Sequence, residues 1–480
     1  MAANYLHGAE TVEVQKGARQ IRTIKSAVIG LVGTAPIHLL KEENRFVNKN
    51  VLLLSDKDAG LYGGVKTTGF TIPAALDAIY DHGAGTVVMV NVFDPSVHFT
   101  SVTDEAKTFA GGIIALANEG ILSLTLKSSD GATTYVKGTD YTYDIATGVV
   151  TRISTGSIGV AAAVKATYTY ADPTKVTAAD LIGEIDAGGN RTGMQAWKNS
   201  FSEFGFDPKI LIAPVYSTQN SIASELSVLA DALRAFAYID APIGTTFQQA
   251  ITGRGAGGSI NFNTSSKRVR LCYPHLKVYD SASDSEVLEP MSQRLAGLRA
   301  SIDLEFGYHY SSSNHLFKGV TGVETTLTAR INDPACEVNM LNEVGITTYF
   351  NSFGTGILSW GNDSAASPTY TAIDKFECVR RTADIIEESI EYFTLQFMDR
   401  PIDAALLDSI VESVNSFLRT LKGRGVIIDG KCYYDPSRNP ATELAAGHVT
   451  FSYEFLPPAP FERATFESFI NIDLYNTLGA

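Results

Sequence analysis

The chain has 480 residues, 45 % of them apolar and 19 % charged, with 38 Lys and Arg against 52 Asp and Glu for a net charge of −14. That length predicts about three domains with enough apolar surface for real cores, so neither disulfide nor metal staples are required. An acidic chain without a basic block neutralises phosphates poorly, which disfavours nucleic-acid binding, and no apolar run reaches the roughly 18 residues of a membrane-spanning helix.

Residues 1–15 lack the charged-then-apolar order of a secretory signal. Within them Thr11 to Gln15 alternates like a half-buried strand, with Val12 and Val14 on the apolar side. The run 27–33 is continuously apolar, as a strand buried on both faces is. A helix is expected over 73–80, with Pro73 in its first turn. Buried strands are expected again at 86–93 and 209–215, and a helix over 221–237. Apolar strands alternating with helices predict an α/β layer around a mostly parallel sheet.

Residues 117–172 break this order. The segments 121–126, 139–143, 149–153 and 164–170 alternate with period two and are separated by turns such as Ser129-Asp130-Gly131. They predict a small inserted all-β domain. Further on, Ile385, Ile386, Ile390, Phe393 and Phe397 recur at helical spacing. Pro401 then opens a second helix, with Leu407, Ile410, Val414, Leu418 and Leu421 on one face and Gly423 and Gly425 at its end. Val449, Phe451, Tyr453 and Phe455 alternate as a strand, which Pro457, Pro458 and Pro460 cut off. Beyond the prolines Ala464, Phe466, Ile470, Ile472 and Leu474 share one parity, and Thr465, Glu467, Asn471 and Asp473 the other, predicting one more strand.

No catalytic or cofactor signature stands out. The glycine-rich stretches 253–258 and 63–69 lack the Lys-Ser/Thr ending of a P-loop and read as loops. The eight histidines form no HExxH or HxH pair, and the four cysteines, at 272, 336, 378 and 432, have no zinc or CxxC spacing and read as reduced thiols. Asp384, Glu387, Glu388 and Glu391 fall on one helix face. They complement the dipole of a helix beginning near Thr382 or offer a docking face for another protein. Arg380 and Arg381, which precede that helix, oppose the dipole and need a partner, within the chain or outside it. Strands at both ends of the chain, set off by polar or proline-rich links, either fold back or add to the sheet of a neighbouring copy. Copies joined head to tail in that way build a helix or tube when the rotation does not close.

An ordered set of short segments then resembles a known family. Val-Arg-Arg-Thr-Ala-Asp at 379–384, Met-Asp-Arg-Pro-Ile at 398–402, Asn-Pro at 439–440, Gly-His-Val-Thr-Phe at 447–451 and Pro-Pro-Ala-Pro-Phe-Glu at 457–462 resemble the contractile tail sheath protein of bacteriophages and related contractile bacteriocins. Thr-Gly-Met at 192–194, Ile-Leu-Ile-Ala-Pro at 210–214, Ser-Ser-Ser-Asn at 311–314, Leu-Asn at 341–342 and the segment 5–14 fall in the expected order. The resemblance covers most of the chain except 117–172, which is similar to an extra outer domain of longer members. It departs at Trp360-Gly361-Asn362, which Asp363 and Ser364 follow where the family commonly has Arg-Thr.

The resemblance implies a mechanical role rather than catalysis. Sheath subunits stack around an inner tail tube in a high-energy extended helix, and a baseplate signal triggers contraction that drives the tube through the host envelope. No cofactor, metal, nucleic acid or membrane insertion is implied. The partners would be other copies, the tail tube protein, and baseplate and tail terminator proteins, in a virion tail assembled in the host cytoplasm. The expected architecture is a multidomain α/β (α+β mixed) chain. It has an N-terminal arm 1–26, a body 27–116 and 173–345, the β insertion 117–172 on the outside, a C-terminal domain 346–456 facing the tube, and a C-terminal arm 457–480. Arms bearing Val12, Val14, Phe466, Ile470, Ile472 and Leu474 would pair with neighbouring C-terminal domains. Arg380, Arg381, Glu387 and Glu391, or Arg419 and Lys422 on the next helix, are the expected tube contacts. The competing readings are a nucleotide- or sugar-processing α/β enzyme and a bacteriocin sheath.

Overall fold

The apolar run Val28–Gly33 is a strand buried along its whole length, with parallel partners on both sides. Ile29 pairs with Ile210 across one edge and with Val87 across the other. The protein is described by a computed structural model covering residues 21–478, apart from 84, 256, 282, 352 and 353. Its central sheet has eight strands, in the order Leu358–Trp360, Ile346–Phe350, Val269–Cys272, Phe236–Asp240, Ile210–Ile212, Val28–Gly33, Thr86–Asn91 and Asn50–Leu53. The inner six run parallel and the two outermost antiparallel. Parallel strands need cover on both faces, and this explains their unbroken apolar runs.

The helix Ile72–Tyr80 carries Pro73 in its first turn, as expected. It lies against the buried helix Met291–Glu305 at Gly297, where an added Cβ would stand 2.8 Å from the Ile79 Cα. Only glycine permits that approach. The helix expected over 221–237 is shorter, Asn220–Ala232. Arg234 takes a φ of 48°, and Phe236–Asp240 is a central strand. A short apolar run of this kind cannot be told from the end of a helix by periodicity.

The β insertion is larger than 117–172. Its first strand, Phe99–Thr108, pairs along Ala163–Ala171 in a four-stranded sheet with Ile121–Ser128 and Thr134–Tyr135. A second sheet joins Ile113–Ala115, Val149–Arg152 and Tyr141–Tyr143. The two enclose their own core, which includes Phe109, Ile121, Leu126, Tyr141, Val150 and Tyr168. Phe99–Thr108 is an edge strand with no buried residue, carrying Asp104, Glu105 and Lys107. Charges on an edge discourage unwanted pairing, and they also hide the strand from a search for apolar alternation.

The C-terminal unit likewise starts later than 346, because Ile346–Phe350 and Leu358–Trp360 belong to the central sheet. It consists of the helices Glu377–Thr394 and Ala404–Gly423 and the hairpin Asp429–Tyr434 with Phe451–Leu456. Ile386, Ile390, Phe393, Val414, Phe417, Leu418 and Leu421 form its core, and Ile21 enters from the N-terminal side. The second helix begins at Ala404, not Pro401, because Asp403 accepts a hydrogen bond from Leu406 N at 2.7 Å and caps it. The strand expected over 464–474 does not form. Residues 457–471 have no regular structure, and Ile472–Thr477 is a 3-10 turn. Within one chain this segment meets no sheet edge, and a lone strand has nothing to satisfy its backbone.

Candidate assembly surfaces

The glycine-rich stretch 253–258 surrounds a structural staple. The Arg254 guanidinium donates to the carbonyls of Val344, Phe262, Thr264, Ala365 and Ser367 at 2.5–2.8 Å. All five donor directions of the side chain are spent on the chain's own backbone. Arg254→Met is therefore expected to lower unfolding free energy by about 2–3 kcal/mol, measured by urea titration. The last residue of the central strand Phe236–Asp240 is likewise held from within the chain. Asp240 accepts from Ser292 N at 2.8 Å and from Ser217 Oγ at 3.2 Å. Among the described residues no group of three His, Cys, Asp or Glu is placed to hold a metal, and no helix is long and apolar enough to cross a membrane. The four cysteines are buried free thiols, and burial pushes Cys378 and Cys432 up to about 11.

The acidic stripe of the helix Glu377–Thr394 docks on the chain's own body. Asp384 takes Arg268 in a two-pronged contact, one prong at 2.7 Å. Glu388 takes Lys209 at 2.7 Å, and Glu391 takes Arg234 at 2.7 Å. At the helix start Glu377 is buried and receives Arg270 Nη1 and the Tyr238 hydroxyl, each at 2.5 Å. Burial alone would push Glu377 upward, but Arg270, Arg299 and Arg381 outweigh it and hold its carboxyl below the ordinary value. Asp303, between Arg299 and Arg381, is lowered against its burial in the same way. Glu388 goes up, because its burial outweighs Lys209.

The helix begins at Glu377, five residues before Thr382, so Arg380 and Arg381 lie within its first turns. Both have the partners their position demands. Arg380 contacts Asp384, Glu387 and Asp374. Arg381 is buried, pairs with Asp303, and donates to the carbonyls of Lys209 and Ser26 at 3.2 Å each. This position removes Arg381 from any outward-facing role. Glu387 is partly exposed and Glu391 more so. On the second helix Arg419 and Lys422 are exposed and form surface pairs with Glu412 and Asp429. Of these residues Glu387, in part, and Glu391 on the first helix and Arg419 and Lys422 on the second are the exposed ones, and Arg381 is not.

The chain ends supply the other surface. Val12 and Val14 lie outside the described residues. The root of the N-terminal segment is tied to the first C-terminal helix by Ile24 N, which donates to Ser389 Oγ at 3.2 Å, and by the Arg381 bond to Ser26. At the other end Phe466 and Ile470 are 92 % and 98 % exposed, and Phe461, Phe469, Ile472, Leu474, Tyr475 and Leu478 are also exposed. Exposed apolar side chains in such number mark an interaction surface. The hairpin strands Asp429–Tyr434 and Phe451–Leu456 pair only with each other among the described residues. Asn415 from the second helix occupies both backbone polar groups of Cys432, at 2.8 and 2.9 Å. The sequence reading missed this asparagine and the strand Asp429–Tyr434, whose Gly430 and Lys431 break the apolar alternation.

The family model of the phage tail sheath protein central domain matches residues 174–364, and that of the phage tail sheath C-terminal domain matches 373–471. A family of unknown function matches 95–180, which spans the β unit. The tail sheath protein of Burkholderia phage BcepMu is 56 % identical over 481 residues, covering 100 % of this chain and 99 % of its own. That of Escherichia phage P2 is 26 % identical over 464 residues, covering 96 % and 95 %. Among solved structures, the contracted helical sheath of the anti-feeding prophage superposes with a TM-score of 0.59 at 15 % identity, covering 98 % of this chain and 100 % of the other. The contracted PVC sheath of an extracellular contractile injection system gives 0.59 at 13 %, covering 98 % and 99 %; both likenesses concern the fold. The chain belongs to the phage tail sheath protein family.

Proposed function

We propose that this sheath protein polymerises as a helical tube around an inner tail tube, and that its copies are linked by exchanged terminal arms while contraction drives the tube through the host envelope. The observation that carries this reading is the presence in one chain of a two-stranded hairpin that pairs with no other sheet among the described residues and of a C-terminal segment whose large apolar side chains are exposed. A strand added to that hairpin would cover the apolar side chains and satisfy backbone groups in one step. The tail tube, baseplate and tail terminator proteins are the further partners, the work is mechanical with no catalysis, and assembly takes place in the host cytoplasm. In this reading the C-terminal unit faces the tube, with Glu387, Glu391, Arg419 and Lys422 as its outward charges, and the β unit faces outward.

Deleting residues 461–480 tests the reading. The truncated protein should keep its melting temperature and remain a monomer, and negative-stain electron microscopy should show no tubes. Tubes at the frequency of the intact protein would refute arm exchange.

A further inference from the structure

The C-terminal arm is fastened to its own subunit before it departs. Asn362 Nδ2 donates to the Glu462 carboxylate at 2.8 Å, across 100 residues of chain. Asn362 is held in turn, since its Oδ1 accepts from the Ser311 hydroxyl and its backbone carbonyl accepts from Glu377 N at 3.0 Å. Beside it, Asp363 spends Oδ2 on Ser367 Oγ at 2.6 Å and on Lys375 Nζ at 3.0 Å. Its other oxygen, Oδ1, is buried without a hydrogen-bond donor. These residues and the arm root from Pro458 to Glu462 line a cleft of about 1130 Å³, with His309, Arg330 and Glu343 on its walls.

We propose that Asn362 and Glu462 form a latch that clips the root of the C-terminal arm to its own body, so that only the residues beyond Glu462 search for a neighbouring copy. The inference rests on the arm-exchange reading above. Three features support it. The donor is pre-positioned by two other bonds, so closing the latch orders the arm root without having to order Asn362 as well. Pro457, Pro458 and Pro460 stiffen the path from the hairpin to the latch, which gives the arm a defined exit direction. A fixed root also removes conformational freedom that binding would otherwise have to remove. Glu462 is an exposed residue whose carboxylate reaches into the cleft. Burial of that group and the facing Asp363 raise its pKa above the ordinary value, against the Asn362 bond and Lys375. A neutral side chain at 462 that offers a donor to Asp363 Oδ1 should hold the latch more tightly than the carboxylate does.

Paired spin labels at Ala464→Cys and Asn332→Cys read the latch in the free subunit, where the four native thiols are buried. The unaltered protein should give a narrow distance distribution. Glu462→Ala should shift the ratio of narrow to broad populations by about three- to tenfold toward the broad one, the worth of one hydrogen bond. Glu462→Gln, which keeps the acceptor and adds a donor, should stay at least as narrow as the unaltered protein. A distribution that Glu462→Ala leaves unchanged overturns the latch, as does a Glu462→Gln distribution as broad as that of the alanine variant. The readout is taken on monomers, so it is separate from arm exchange. Loss of tubes on deleting 461–480 together with insensitive distances removes the latch and leaves arm exchange standing.

Discussion

Glu377→Ala is expected to cost about 3–5 kcal/mol of stability, the range for leaving one partner of a buried ion pair alone. Arg270 is 0 % exposed, and besides Glu377 it reaches Thr347 Oγ1 at 3.0 Å, Ser312 Oγ at 2.8 Å and the Gly361 carbonyl at 2.6 Å. None of these neutral groups balances its charge, so removing the carboxylate strands a cation in the core. The double variant Arg270→Met with Glu377→Leu should be much milder, because apolar groups of similar size replace both charges at once. Urea unfolding of Glu377→Ala and of the double variant measures the difference, and a double variant as damaged as Glu377→Ala would show that the pair is not the unit that matters. The pH dependence follows from the directions of the shifts. Glu377 and Asp303 are held below their ordinary values when folded. Their stabilisation is complete above the unfolded carboxylate range and is lost as pH falls through the folded values. Glu388 lies above its ordinary value, so its term runs the other way and weakens as pH rises through that value.

This network also shows which parts of the molecule were legible in the sequence. The central strands were plain, because a run such as Val28–Gly33 is buried on both faces and carries no polar interruption. The β unit was recognisable from its inner strands and invisible at its charged edge, Phe99–Thr108. The acidic stripe at 384–391 was seen as a helix face, but its purpose was not, since Lys209, Arg234 and Arg268 come from distant turns and strands that no local pattern connects. The need of Arg380 and Arg381 for partners did follow from helix electrostatics. That one partner would be Asp303, on a helix buried on nearly every side, did not. Such a helix has no amphipathic stripe to announce it. The arm shows the opposite case: its alternation was legible, and within the single chain no strand forms there, its large apolar side chains remaining exposed.

That missing strand leads to the prediction with the largest effect on assembly. In the arm, Phe466, Ile470, Ile472 and Leu474 lie on even positions, and Glu467, Asn471 and Asp473 on odd ones. Successive side chains of a strand point to opposite faces, so an arm added to a neighbour's hairpin presents one of these sets to the apolar core and the other to solvent. Ile470→Asp should therefore abolish tubes, while Asn471→Asp, one residue away and adding the same charge, should leave them. Losing a buried aliphatic side chain costs about 2–5 kcal/mol, and a buried unpaired carboxylate adds to that. The protein concentration needed for polymerisation should thus rise by roughly 100-fold or more, at 1.4 kcal/mol per factor of ten. Ile470 is 98 % exposed in the single chain, so neither substitution should move the melting temperature of the monomer. Light scattering against protein concentration, with electron microscopy of the products, reads the outcome. Equal loss from both substitutions would mean that the arm binds by charge or by another conformation. Loss from Asn471→Asp alone would invert the face assignment. The neighbouring Phe469 provides an internal check, because it is the large apolar residue of odd parity in this stretch. On the solvent face of an added strand, Phe469→Asp should be tolerated, although hydrophobicity alone would rank it with Ile470. A helical docking mode would instead group Phe466, Phe469 and Ile470 on one side, and would make Phe469→Asp as damaging as Ile470→Asp.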